Sequence, residues 1–367
     1  MKKNILIILI TILIFTLFDF FIGKNFLNLL YKVNIIESPI KKQIRKENLE
    51  KIEKSYRIKN KYFHHTLKSN VKIESAWGNI KYFTCTDKFG FRSGCNTAKK
   101  KVNTGKIILI GDSFTEGLGL NYNDTFAGML NNYSQYEIIN MGVTSYSPII
   151  YLNKIQYYLD QGFKPDHVLV FIDISDIDDE ANYYIKCKKN KFVCDRKKKL
   201  GKNTINKETE FKVNFPILNQ IKKELKKLKR KIKPKNYIYR KDFIRSNWTF
   251  IEQNEQIKLG IKNSLKYMEN LEKYLSSKKI PLSVAIYPHP AQILYDDTES
   301  KQVKIWKNFC KLKCNYFINL FPSFLEDKIS LSEIEIIEKY YIKGDIHFNK
   351  SGNKKIFEQL KLLDFIK

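Results

Sequence analysis

The sequence predicts an α/β protein: a three-layer α/β/α sandwich around a parallel five-stranded sheet, with an N-terminal transmembrane helix and an inserted segment. Three observations predict it. From about residue 105, short β-branched apolar runs alternate with stretches of helical periodicity, which is the pattern of a sheet built from crossover units. The first such run, Ile107 to Ile110, stops abruptly at Gly111-Asp112-Ser113. The chain also opens on an apolar stretch long enough to cross a bilayer.

That opening stretch comes first in order. Lys2 and Lys3 precede Ile5 to Phe18, which carries no charge, and Phe20, Phe21 and Ile22 continue it past Asp19. This is roughly the 20 residues that a bilayer core requires. Small residues of the A-x-A type are missing after it, so residues 1–22 read as an uncleaved anchor in preference to a signal peptide. Lys2 and Lys3 favour an N-terminus inside, whereas Lys24, Lys32, Lys41 and Lys42 weaken the charge asymmetry. Residues 23–60 are a polar, Lys-rich stem with Pro39 as its breaker. Residues 61–104 carry aromatics and short extended runs and read as an irregular β-containing lead-in.

The catalytic-type region spans 105–367. Strands are predicted at 106–110, 136–140, 167–173, 282–287 and 315–319, and helices at 147–161, 253–279, 300–312 and 351–364. Asn349 and Ser351 are candidate caps for the last helix. Five strands with intervening helices suit a flavodoxin-like sheet, in which ligands sit at the carboxyl ends of the strands, where Ser113 lies. The third and fourth strands are separated by an insertion at about 183–250. Within it Cys187 and Cys194 bracket a basic hairpin, and 218–233 is a Lys-rich amphipathic helix. Its Leu218, Ile221, Leu225 and Leu228 stripe either packs on the body of the protein or serves as a lid or a membrane-facing surface.

Six cysteines fall into three locally close pairs: Cys85 and Cys95, Cys187 and Cys194, Cys310 and Cys314. Three local disulfides in an exported domain explain that spacing. Buried thiols are the alternative, and zinc is disfavoured because no C-x-x-C occurs. The expected location is therefore outside the cytoplasmic membrane, in a periplasm or on a cell surface. The net charge of +28 comes almost wholly from lysine, since only seven residues are arginine. Arg is the residue that bidentate base and phosphate recognition favours, so nucleic acid is not the expected partner. Attraction to anionic lipid or acidic polysaccharide remains physically reasonable.

Chemistry concentrates in two segments. Ser113 stands at the end of the Ile107–Ile110 run, and Gly344-Asp345-Ile346-His347-Phe348-Asn349 lies near the other end of the chain. Together they offer a nucleophile, a general base and a carboxylate to orient it. No P-loop, G-x-S-x-G elbow, H-E-x-x-H or complete dinucleotide fingerprint is present, so no cofactor or metal is expected. His64, His65, His167 and His289 are competing bases, of which only His289, in Tyr287-Pro288-His289-Pro290, follows a strand.

In these segments the chain resembles the SGNH/GDSL hydrolase superfamily, over about residues 105 to 365. Ile110-Gly111-Asp112-Ser113-Phe114-Thr115-Glu116-Gly117 is similar to that family's first motif, with Ser113 as nucleophile. Ile139-Asn140-Met141-Gly142-Val143 is similar to the second, which implies an oxyanion-hole amide at Gly142. Asp345-Ile346-His347 is similar to the last, which implies His347 as base and Asp345 as its partner. The third motif departs: in Phe171-Ile172-Asp173-Ile174-Ser175-Asp176 a serine falls where the family's oxyanion-donating Asn stands. Ser175 then either supplies a hydroxyl donor or only caps a turn. The acidic run 173–180 lacks the spacing of a calcium loop and reads as a solvated loop.

The resemblance implies a serine ester hydrolase acting through an acyl-enzyme on an O-ester of a carbohydrate or lipid. Anchoring and export favour O-acetyl groups of an envelope carbohydrate. Two alternatives stay open: an O-acetyltransferase of a cell-envelope polysaccharide using the same triad, and a catalytically silent carbohydrate-binding or assembly protein.

Overall fold

The computed structural model describes residues 2–33, 35–36, 39–78, 80–96, 104–186, 193–195, 215–232 and 245–367. They group into two compact units, Met1–Lys51 with Lys199–Asn236, and Ile52–Lys198 with Tyr237–Lys367.

The first unit is helical among its described residues: Lys2–Phe21, Gly23–Lys32, most of Pro39–Tyr56, and Pro216–Ile232. Its segment Asn4–Phe21 has a mean hydropathy of 2.5 with only 6% of the window buried, so it is long and apolar enough to cross a membrane. A signal sequence has the same character.

The second unit is built on sheets. In chain order its strands are β1 (Arg57–Asn60), β2 (His64–Leu67), β3 (Lys72–Trp77), β4 (Ile80–Thr86), β5 (Arg92–Ser93), β6 (Lys106–Ile110), β7 (Glu137–Asn140), β8 (His167–Ile172), β9 (Tyr184–Lys186), β10 (Val193–Asp195), β11 (Leu282–Ile286) and β12 (Phe317–Asn319). β1 pairs with β2 and β9 with β10 as antiparallel ribbons.

The main sheet runs β12-β11-β8-β6-β7-β5-β4-β3. Its first five strands are parallel, and they are the five that periodicity predicts. The expectation of a five-stranded sheet nevertheless needs correction, because the sheet has eight strands. Within the expected β-containing lead-in, β3, β4 and β5 form regular strands that extend the sheet antiparallel from the β7 edge. The join is a single residue pair, Arg92 opposite Asn140. Buried Arg92 secures it by donating to the carbonyls of Phe83 and Leu120 at 2.9 Å and of Cys85 at 3.3 Å. These are long-range contacts that local patterning does not encode.

Alternation along the parallel strands produces two cores. Ile108, Ile110, Val168, Val170, Ile172, Val284 and Ile286 face one, together with side chains of the helices Pro148–Asp160, Glu255–Ser277 and Lys301–Cys310. Ile107, Leu109, Leu169, Phe171 and Ala285 face the other, with the helices Phe126–Tyr133, Glu333–Tyr340 and Lys350–Leu360. Strands buried on both faces read as continuous apolar runs, which is why periodicity finds them. Asn349 is the cap of the last helix, its side chain accepting from Gly352 N at 3.0 Å, while Ser351 lies inside that helix. Cys85–Cys95 and Cys310–Cys314 are disulfide-bonded. Cys187 and the residues up to 192 lie outside the described residues.

Candidate active site

β6 ends at Ile110, and the chain turns directly into the short helix Ser113–Glu116. Asp112 caps that helix, its Oδ1 accepting from Phe114 N at 3.0 Å. The cap therefore puts Ser113 at the first helical position, where unpaired backbone N–H groups face the strand end. From the far end of the chain, Tyr341 bridges to Phe348, and Ile342 N donates to His347 O at 2.8 Å. This narrow turn needs a left-handed residue, and Gly344 supplies it at φ 76°.

The turn delivers its side chains to Ser113. His347 Nε2 lies 2.8 Å from Ser113 Oγ, and His347 Nδ1 lies 2.5 Å from Asp345 Oδ1. Asp345 Oδ1 also accepts from His347 N at 3.0 Å, so one carboxylate oxygen fixes both ring and backbone. Burial opposes ionisation of Asp345, but its hydrogen bonds with His347 and the charge on that ring outweigh burial and hold the carboxyl below its ordinary range. Trp77 of β3 stands edge-on to the imidazole at 5.1 Å, and Phe114 packs on it at 4.9 Å. Ser113 and His347 are only 6% and 5% exposed.

Gly142 follows β7 and comes against the helix Ser113–Glu116. A Cβ there would lie 2.7 Å from Thr115 Cβ and 2.9 Å from Glu116 N, so only glycine fits. Its amide donates to Asn140 Oδ1 at 3.0 Å, and Asn140 Nδ2 donates to Thr115 O at 2.7 Å. Asn140 thus clamps the second motif to the first, and it engages the amide that the resemblance assigns to an oxyanion. Ser175 precedes the helix Asp176–Asn182. Its amide donates to Asp173 Oδ1 at 2.8 Å, and its hydroxyl makes no capping bond.

The acidic run 173–180 is not a solvated loop. Asp173, Asp176, Asp178, Asp179 and Glu180 are buried, and all but Asp173 meet partners that the sequence leaves scattered. Arg245 pairs with Asp179 at 2.8 Å and Asp178 at 3.5 Å. Glu180 accepts from Ser147 Oγ at 2.8 Å and Ile149 N at 2.7 Å, at the start of the Pro148 helix. Tyr151 donates to Asp176 at 2.9 Å. One oxygen each of Asp112, Asp173 and Asp176 gathers within 4.8 Å. Burial first, then the neighbouring carboxyls, drives the Asp112 and Asp176 carboxyls well up.

The other histidines are bonded to other groups, although His289 lies near enough to Asp173, His347 and Asp345 to feel their charges. His167 begins β8 and meets Ser283 Oγ at 2.8 Å, while His289 caps the helix Pro290–Tyr295. Burial lowers both rings to about 4. His65 meets Thr144 O at 2.8 Å. That contact belongs to a network with no signal in the sequence. Arg57 of β1 donates twice to Glu116, at 2.9 and 2.6 Å, and Glu116 Oε2 accepts from Thr144 N at 2.7 Å and Thr144 Oγ1 at 2.8 Å. Lys154 is fully buried and donates to Met141 O at 2.9 Å and Tyr146 OH at 3.1 Å. Both sets of bonds buttress the 141–146 loop, Arg57 and Glu116 from segments remote in sequence and Lys154 from the helix that follows the loop.

No family model and no curated protein matches the chain. Among solved structures it is similar to a lipolytic protein of the G-D-S-L family from Desulfitobacterium hafniense, at 14% identity over 71% of this chain and 99% of that one, with a TM-score of 0.39. A member of the lipolytic G-D-S-L family from Veillonella parvula matches at 12% identity over 71% and 98%, TM-score 0.39. A catalytic mutant of an acetylxylan esterase from Geobacillus stearothermophilus matches at 11% identity over 72% and 95%, TM-score 0.39.

Proposed function

We propose that this protein is a serine ester hydrolase in which Ser113, His347 and Asp345 form the catalytic triad. The observation that carries this reading is the unbroken chain from Ser113 Oγ to His347 Nε2 at 2.8 Å and from His347 Nδ1 to Asp345 at 2.5 Å. Ser113 Oγ attacks the ester carbonyl carbon while His347 Nε2 accepts the hydroxyl proton. Asp345 holds the tautomer and stabilises the imidazolium. Collapse of the tetrahedral intermediate expels the alcohol, which takes its proton from His347 and leaves Ser113 acylated. Water, deprotonated by the same ring, then releases the acid.

The developing oxyanion is assigned to the amide of Ser113 and the hydroxyl of Ser175, which no capping bond engages. Gly142 joins them only when its amide leaves Asn140. The near-complete enclosure of Ser113 and His347 supports a small acyl group such as acetyl. With a bilayer-length apolar helix at the N-terminus and cysteines paired in two local bridges, the reading extends to a membrane-anchored enzyme acting outside the cytoplasm on O-acetylated carbohydrate. Transfer to a sugar hydroxyl shares every step up to the acyl-enzyme.

A fluorophosphonate tests the mechanism without knowledge of the substrate. It should modify Ser113, as mapped by peptide mass spectrometry, and labelling should vanish in His347→Ala. Absence of labelling in folded wild-type protein would reject the activated serine. Product analysis with an acetyl ester and a sugar acceptor separates hydrolysis from transfer.

A further inference from the structure

We propose that the helix Pro216–Ile232 is an interfacial element that lies on an anionic lipid surface at the end of the apolar N-terminal helix. This rests on the reading of Asn4–Phe21 as a membrane span. The first observation is Asp19, the one charged residue between Lys3 and Lys24. A carboxylate in such a run is costly unless it is partnered. Asp19 is fully buried, and its two oxygens accept from Ile217 N at 2.8 Å and Leu218 N at 2.9 Å. Those amides are among the unsatisfied donors that open the Pro216 helix, so the acid answers both the donors and the helix dipole.

Local packing is shaped for this joint. A Cβ at Gly23 would lie 2.2 Å from Asp19 Oδ1 and 3.1 Å from Pro216 Cγ, so only glycine lets the two helices meet there. Phe20 and Phe215 pack beside it at 6.0 Å. The tie holds the N-terminal end of the second helix at the end of the apolar one.

What the tethered helix carries is the second, independent observation. It contains Lys222, Lys223, Lys226, Lys227, Lys229, Arg230 and Lys231 against a single acid, Glu224. Leu218, Ile221, Leu225 and Leu228 recur at helical spacing, yet Ile221 is 42% exposed and Leu225 60% exposed. On a soluble helix such a stripe would be covered by the core. Exposed Ile221 and Leu225 on a lysine-rich helix, held at the end of a span, match the boundary between acyl chains and anionic headgroups.

The test uses the full chain in proteoliposomes, with a nitroxide at Leu225→Cys or, separately, at Leu9→Cys, and without reductant. The readout is the ratio of accessibility to oxygen, which prefers lipid, over accessibility to a water-soluble nickel chelate. At position 225 this ratio should be about threefold or more higher in vesicles rich in phosphatidylglycerol than in phosphatidylcholine alone, and should fall when Lys222, Lys223, Lys226 and Lys227 are changed to Gln. A label at 225 that is equally wet in both vesicles overturns the proposal. So does one shielded from both agents in both vesicles, which would mean packing on protein or on a second copy. With a lipid-exposed label at 9, either failure leaves the span standing; a water-exposed label at 9 removes both readings.

Discussion

In the proposed triad Ser113 and His347 act as one unit, so their losses should not add. Ser113→Ala and His347→Ala should each reduce ester turnover by roughly 10⁴-fold or more, and the double variant should be hardly worse. Steady-state kinetics on variants with unchanged circular dichroism checks this; normal turnover by folded Ser113→Ala would end the triad assignment. Ser175→Ala should lower kcat by about 10- to 100-fold with KM nearly unchanged, because an oxyanion donor matters once charge has developed and a rotatable hydroxyl is less preorganised than an amide. Unchanged kinetics would leave the oxyanion to backbone amides. These residues were legible because each stands in a short motif whose chemistry is local. Trp77 was not: nothing near it in the chain marks it as a neighbour of His347.

Among elements, the β1–β2 ribbon is the part whose importance is least obvious. Its Arg57 holds Glu116, which is almost wholly buried, and Glu116 in turn holds Thr144 beside the second motif. Arg57→Met should leave a buried carboxylate without its cation and destabilise the fold by about 3 kcal/mol, measured as a loss in urea unfolding free energy. Activity should fall with it as the 141–146 loop loosens. Burial opposes ionisation of Glu116, but Arg57 and the Thr144 bonds lower its carboxyl overall. The stability it provides is therefore present above the ordinary Glu range and is lost only as pH drops through its lower folded value.

Lys154 has the same pH sign in a higher window. Burial lowers its amine to about 7 from an ordinary 10.5. Between those values the unfolded chain binds a proton that the folded chain does not, so stability rises with pH across the window. Unfolding free energy should increase by roughly 2 kcal/mol between pH 7 and 9 from this group, an increment that Lys154→Met should lack. Urea midpoints of both proteins at the two pH values measure the difference. An equal pH response in the variant would show that Lys154 is not the group responsible.

For the whole molecule, the Cys85–Cys95 and Cys310–Cys314 bridges close short loops, with sequence separations of 10 and 4. Reduction should cost about 2–3 kcal/mol for each on chain-entropy grounds, read from the thermal midpoint with and without reductant. Thiols at Cys85, Cys95, Cys310 and Cys314 that titrate freely in unreduced native protein would contradict the pairing. A dense part of the large positive charge lies in residues 222–231, alongside the exposed Ile221 and Leu225. A global net charge could not have located that surface; the tie through Asp19 does.

By itself the sequence determined the five parallel strands, four of the six helices named as covering them, the apolar N-terminal helix and the triad candidates Ser113, Asp345 and His347. Each of these is written in local periodicity or a short motif, and burial on both faces of the sheet makes the strand signal strong. Only the tertiary structure decided that residues 72–93 extend the sheet, because the join at Arg92 depends on carbonyls contributed from three separate positions. It also turned the acidic run from a solvated loop into a buried helix, since Arg245, Tyr151 and the Pro148 helix terminus are remote in sequence and adjacent in space. A charge run is exposed by default, and what overrides that default is the arrival of partners that no local pattern announces.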